Sequence, residues 1–131
     1  LSLRARIASV RRLEAGERAG YGLAFTASRP TLLAAAAIGY ADGLPRDLPE
    51  RGGEVLLHGV RVPIVGRLCM DQLLIDATDA GEVRGGDIIT LIGEDGGERI
   101  TVEEVAGRCG TISNEILSRL GSRLGLIIRQ Q

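Results

Sequence analysis

The sequence predicts a mainly β fold, a small barrel or sandwich with two short helices late in the chain. Three observations lead there. Before residue 101, apolar residues come in short stretches, several alternating with period two, the spacing of strands packed against a core. Nineteen glycines in 131 residues imply many tight turns and therefore short elements. Helical spacing, opened by a capping signal, begins only at Thr101.

The elements follow in order. From Leu1 to Arg12, Leu3, Ala5 and Ile7 alternate with Arg4, Arg6 and Ala8, which predicts a strand. Residues 14–22 are turn-rich. Leu32 to Ile38 contains four successive alanines that favour helix by propensity, but the run is short and bounded by Pro30 and Gly39. A buried strand with small side chains fits those bounds better. Residues 40–53 carry Asp42-Gly43, Pro45, Pro49 and Gly52-Gly53 and read as loop. Val55 to Leu57 and Val60 to Val62, split by His58-Gly59, form a hairpin, which Pro63 to Val65 continues or closes. Leu73 to Asp76 and Asp87 to Ile92 are strands, and residues 94–98 turn the chain into Arg99-Ile100.

The period then changes. Thr101 and Glu104 form a capping box, and Val102, Val105, Ala106 and Cys109 follow at helical spacing. Gly110 breaks this helix. Thr111 or Ser113 caps a second, with Ile112, Ile116, Leu117 and Leu120 facing the core and Gly121 at its end. Leu126 to Ile128 predicts a last strand. No repeat or interdomain linker interrupts the chain, so residues 1–131 read as one domain.

Composition excludes several functions. Hydrophobic residues make up 44% and charged residues 25%, as in ordinary globular proteins. Lys+Arg 16 against Asp+Glu 17 leaves a net charge of -1, with no basic excess for nucleic acid or an anionic membrane. No apolar run is long enough to span a bilayer, and the N-terminus lacks a signal-peptide layout. Cys69, Cys109 and the single His58 have no metal-ligand spacing. The chain opens at Leu1 and its only methionine is Met70, which points to a piece of a longer polypeptide or to a processed one.

Few residues suggest chemistry on their own. His58 reads as an exposed turn histidine. Tyr40 stands at a strand end before Asp42-Gly43, where it could simply pack. Tyr21 lies between Gly20 and Gly22, where the backbone can approach another surface closely, or simply turn. The Gly66 to Gln72 segment mixes Arg67, Cys69, Met70 and Asp71, and a core crossing with Arg67 and Asp71 paired would also account for it.

Taken together, these segments resemble the C-terminal domain of alanine racemase over nearly the whole chain. Residues 16–22 are similar to the family's G-x-x-V-S-Y-G, with Gly20 replacing the usual serine. Residues 38–43 match I-G-Y-A-D-G, residues 65–72 match V-G-R-(I or V)-C-M-D-Q, and residues 86–93 fit G-D-x-V-T-L-I-G. The resemblance implies a small closed Greek-key-like β-barrel with two short helices near the C-terminus. It also implies an N-terminal (β/α)₈ barrel, absent from this chain, that carries the lysine linked to pyridoxal 5'-phosphate (PLP). All 16 Lys+Arg positions here are arginine, so no such link can form on this chain.

By the same resemblance, the protein interconverts L- and D-alanine for peptidoglycan precursors as a cytoplasmic head-to-tail homodimer. This domain would then complete the site on the partner subunit's barrel. Tyr21 takes the position of the base that removes the α-proton of the L-enantiomer. Tyr40 takes that of the inner gate of the substrate corridor, Met70 that of the backbone N–H on the substrate carboxylate, and Asp71 the adjacent corridor position. Asn114 stands where the family's typical member has a tyrosine that bonds the cofactor phosphate and crowds the substrate side chain. The same replacement resembles the serine/alanine racemases of vancomycin resistance (VanT type), whose parent chain is membrane-anchored. The family's R-V-P-R segment reads Arg123-Leu124-Gly125-Leu126. The other reading is a non-catalytic racemase-like β-domain for dimerisation or ligand sensing.

Overall fold

The computed structural model describes residues 1–127. Nine strands and two late helices are observed among the described residues, the mainly β class that the sequence predicts. Strand β1 (Leu3–Leu13) buries Leu3, Ile7 and Leu13 while Arg4 and Arg6 stay exposed, so the period-two pattern is expressed as expected. The alanine run is a strand, β4 (Thr31–Ala36), with Ala34 and Ala36 fully buried. Its small side chains bring β1 and β4 together in antiparallel register from Ile7↔Ala36 to Leu13↔Thr31.

Strands β5 (Glu54–Leu57), β6 (Val60–Val65), β7 (Leu73–Asp76) and β8 (Ile88–Asp95) complete a closed ring in the order β1-β4-β7-β6-β5-β8-β1. The longest strand, β1, divides its pairing between two neighbours, as β6 does on the other side. The first half of β1 pairs with β8 from Leu3↔Ile92 to Arg6↔Ile88, and its second half pairs with β4 after an irregularity between Ile7 and Ser9. Val55, Leu56, Leu57, Ile75 and Ile89 are wholly buried in the resulting core. A smaller cluster of Leu13, Ala19, Ala27 and Leu33, with Phe25 and Leu74 against it, supports a short excursion from the ring. That excursion consists of β2 (Arg18–Ala19), a 3-10 turn at Tyr21–Leu23, and β3 (Phe25–Thr26).

Helix α1 (Val102–Arg108) starts as predicted, with the Thr101 hydroxyl accepting the Glu104 N–H at 3.0 Å. The reciprocal half of the capping box is not the use made of Glu104. Its carboxylate accepts from both terminal guanidinium nitrogens of Arg61 instead, at 2.7 and 2.8 Å. Arg61 also donates to Glu54, to Glu98 on β9 (Glu98–Ile100), and to the Arg99 carbonyl. One guanidinium therefore joins β5, β6, β9 and α1.

Helix α2 (Ser113–Arg119) departs from expectation at its start. Neither Thr111 nor Ser113 caps it: Ile112 holds the cap position, and the Thr111 hydroxyl donates to Glu115 at 2.6 Å. Ile116 is buried and Leu120 partly so, whereas Ile112 and Leu117 are exposed, because only one edge of this short helix meets the ring. The strand expected at Leu126–Ile128 is not formed by Leu126 and Ile127, which lie exposed with no ladder partner, and Ile128 falls outside the described residues. His58 is exposed as predicted but not idle. Its Nδ1 lies 3.0 Å from the Ala80 carbonyl and its Nε2 3.2 Å from the Asp87 carboxylate.

Arg61→Ala should lower stability by about 1–3 kcal/mol, the scale for hydrogen bonds to charged groups, in urea unfolding at neutral pH. The hydrogen bonds from Arg61 hold the Glu104 carboxyl below the usual carboxylate range. A depressed folded pKa contributes stability above the unfolded carboxylate range and loses it as pH falls through the folded value. The gap between wild type and Arg61→Ala should therefore be full at neutral pH and narrow in acid. A gap that widens in acid would contradict this account.

Candidate active site

Two loops at one end of the ring are pinned together by backbone hydrogen bonds. The Tyr40 N–H donates to the Cys69 carbonyl at 3.0 Å, and the Ala41 N–H to the Met70 carbonyl at 2.9 Å. The approach is closer than a side chain would allow, because a Cβ on Gly39 would collide with the Cys69 carbonyl oxygen and lie 2.5 Å from the Met70 carbonyl carbon. Across the second loop, the Cys69 N–H donates to the Gln72 carbonyl at 3.0 Å and leaves Met70 and Asp71 at the tip. Among the described residues, nothing accepts the Met70 N–H.

Beside this pairing opens a cleft of about 820 Å³. Tyr40 and Met70 line it with Tyr21, which arrives on the excursion between β2 and β3. Gly20 and Gly22 hold positive φ values of 87° and 66° around Tyr21, a backbone course that glycine permits. The Tyr21 side chain emerges 71% exposed, and Met70 is 59% exposed. The Arg46 guanidinium sits 5.5 Å over the Tyr40 ring, a cation–π contact that holds the ring at the cleft wall.

Three of the five residues singled out from the sequence thus meet in one cleft. Asp71 and Asn114 are exposed and do not line it, although Glu115, next to Asn114, does. Arg67 and Asp71 form no ion pair among the described residues, so the paired-crossing account of that segment does not hold. Arg67 lies at the cleft instead, against the bare face of Gly22. Sequence reasoning missed Arg46, Thr111, Glu115 and Arg119 as lining residues. Only the i,i+4 pair of Glu115 and Arg119, 2.9 Å apart, carried a local signal. Cys109 also faces the cleft, where burial first, and then the Asp47 charge, push its thiol pKa upward and make it a poor nucleophile.

The family model described as the alanine racemase C-terminal domain matches residues 1–128. The chain belongs to that family. An amino-acid racemase of Enterococcus faecalis is 48% identical over 127 residues, 97% of this chain and 18% of its own length. The solved alanine racemase of E. faecalis is 40% identical with a TM-score of 0.87, covering 94% of this chain and 32% of that one. The Bartonella henselae alanine racemase, solved with covalently bound pyridoxal phosphate, is 39% identical with a TM-score of 0.85, over 93% of this chain and 33% of that one. The racemase domain thus spans a third or less of each of these relatives.

Gly39→Ala should destabilise the racemase domain by about 1–3 kcal/mol, the usual cost of overpacking, because the loop pairing must part to admit a methyl group. Gly97→Ala, with open space around the added carbon, is the control and should stay within about 0.5 kcal/mol of wild type. Chemical denaturation of both variants checks this, and equal effects would refute the role given to Gly39.

Proposed function

We propose that this chain is the single-domain C-terminal portion of a PLP-dependent amino-acid racemase that acts on alanine and also on serine. On this reading it completes the active site on the partner subunit's barrel in a head-to-tail homodimer located in the cytoplasm. No helix among the described residues is long and apolar enough to cross a membrane. The observation that carries the proposal is the cleft itself, in which Tyr21, Tyr40 and Met70 converge yet Tyr21 stays open to the outside. It is half of a site.

The residues fit one side of the cofactor rather than its attachment. Arginine and hydroxyl groups at the cleft suit an anionic phosphate, but the chain holds no lysine to form the covalent link. The linking residue must come from outside this chain, as the homology with longer racemases supports. When bound, PLP supplies an electron sink that acidifies the α-carbon of the amino acid. Tyr21, as its phenolate, would accept the α-proton of the L-enantiomer on its oxygen and become the neutral phenol, which returns the proton in the opposite direction. A free tyrosine, with a pKa of about 10, is almost wholly protonated near neutrality, so cationic neighbours at the assembled site must stabilise the phenolate. On this reading the Met70 N–H, which has no acceptor among the described residues, would bind the substrate carboxylate, Tyr40 would bound the substrate, and Asp71 would take the adjacent corridor position. Asn114 would face the cofactor phosphate and the substrate side chain, where an amide can bond the serine hydroxyl.

Tyr21→Phe in the barrel-containing enzyme should lower turnover on the order of 10²–10⁴-fold, with removal of the L-side proton hit hardest. Near-normal turnover from L-alanine would remove Tyr21 from the mechanism.

Mixing Tyr21→Phe subunits with subunits whose barrel lysine is inactivated should restore about one working site per heterodimer. No recovery, once subunit exchange is demonstrated, would argue against a site shared between chains.

Asn114→Tyr should shift the serine-to-alanine ratio of kcat/KM toward alanine, because a site that bonds a hydroxyl discriminates far more than a merely roomier one. Kinetics on both amino acids decide this. An unchanged ratio would refute the substrate role of Asn114.

A further inference from the structure

Asp42 is the one acidic side chain among the described residues that is buried, at 2% exposure. A carboxylate taken out of water is costly unless hydrogen bonds and a counter-charge compensate for it. Both are present. One carboxylate oxygen accepts the Gly39 N–H at 3.0 Å, and the other lies 3.3 Å from Nε of Arg123, which reaches in from the surface. The Asp42 backbone is engaged as well, its N–H donating to the Gly39 carbonyl at 3.1 Å and its carbonyl accepting the Gly121 N–H at 2.9 Å. These bonds bracket Tyr40 and Ala41, the two residues whose N–H groups pair with Cys69 and Met70. Asp42 itself does not line the cleft.

We propose that Asp42 is a positioning residue for racemisation: its carboxylate, neutralised by Arg123, locks the turn that holds Tyr40 and the Met70 loop at their working separation. The inference rests on the racemase reading and extends it to a residue that touches no reactant. The reason for a carboxylate here is specific. A neutral amide can still accept the Gly39 N–H, but it offers no charge to draw Arg123, and with it the 121–124 turn, against the back of the Tyr40 loop. Gly43 tightens the same joint, since its φ of 108° turns the chain directly against the end of α2. Loss of Asp42 should therefore loosen the Tyr40 loop while leaving the ring intact.

The test uses the barrel-containing enzyme of the racemase reading, with Asp42→Ala, Asp42→Asn and Arg123→Ala. Hydrogen–deuterium exchange in the peptide spanning residues 38–44 should accelerate about tenfold or more in Asp42→Ala, and less in the other two variants, while peptides from β5 and β8 keep their protection. In kinetics, kcat/KM should fall about 10- to 100-fold, the scale for a misplaced binding group, with KM rising more than kcat falls because Tyr21 is untouched. Adding Tyr40→Ala to Asp42→Asn should deepen the loss by less than about twofold beyond Tyr40→Ala alone, because both act through one group. Exchange that accelerates evenly across the ring, unchanged exchange at 38–44, or fully additive losses would each overturn the proposal. Should Asp42→Ala fail to fold, Asp42→Asn and Arg123→Ala carry the same comparison. A wild-type protein without racemase turnover would count against the racemase reading alone, and the exchange pattern would still decide whether Asp42 holds the loop.

Discussion

Two backbone hydrogen bonds, from Tyr40 and Ala41 to the carbonyls of Cys69 and Met70, tie a loop after β4 to the loop between β6 and β7. The ring places these loops side by side, since β4 and β7 are neighbours with Ala36 opposite Leu73. Neighbouring strands alone do not bring their loops into hydrogen-bonding contact. That needs Gly39, where any side chain would strike the opposing backbone, and Gly43, where the chain turns back at φ 108° against α2. The motifs at residues 38–43 and 65–72 are thus complementary halves of one joint. The Met70 carbonyl is consumed by the joint, and its N–H is left without an acceptor among the described residues.

The far side of the cleft depends on where the helices stand, and that is set by charge as much as by apolar contact. α1 buries Val105 and Ala106, and α2 buries Ile116, a modest apolar hold for two seven-residue helices. Arg61 supplements it with five hydrogen bonds to three glutamates and one carbonyl. Arg108 adds a bond to Glu54 from the helix side. The groups are about a quarter to a half exposed, so each pair contributes less than a buried one would, but the network is bidentate at Glu104 and spans four elements. It fixes α1, and through the packed helix pair it fixes α2, whose Glu115 and Arg119 form the cleft wall.

Legibility in the sequence followed how local each determinant is. The alternation of Leu3 and Ile7, the alanine run bounded by Pro30 and Gly39, the His58-Gly59 hairpin and the Thr101 cap are all written within a few residues, and each appears as expected. Errors arose where tertiary context decides. Ile112 and Leu117 have helical spacing, but α2 meets the ring along one edge only, so they stay exposed. Glu104 looked committed to its own helix end, yet a better partner, Arg61, arrives from another strand. Arg46 reaches the cleft because Tyr40 lies beneath it, a relation with no periodicity to reveal it. The cleft residues Tyr21, Tyr40 and Met70 were found through motif resemblance, since nothing in composition or spacing brings these three together.

On the racemase reading, the exposed position of Tyr21 fits a site assembled from two sources. A catalytic side chain that worked within its own chain would be packed by its neighbours to hold one rotamer. Tyr21 instead stands 71% exposed on an excursion anchored below by Ala19, Phe25 and Ala27, with glycine on both sides. The anchor is firm while the tip is bare. Such an arrangement presents a hydroxyl outward from the ring, and on the racemase reading the partner subunit's barrel would provide the packing and the charge. Exposed Leu23, in the same turn as Tyr21, and Met70, at the same cleft, add further apolar area that water would otherwise cover. On the racemase reading, the same burial that closes this face would exclude water from the proton transfer, so assembly and catalysis are coupled through one surface.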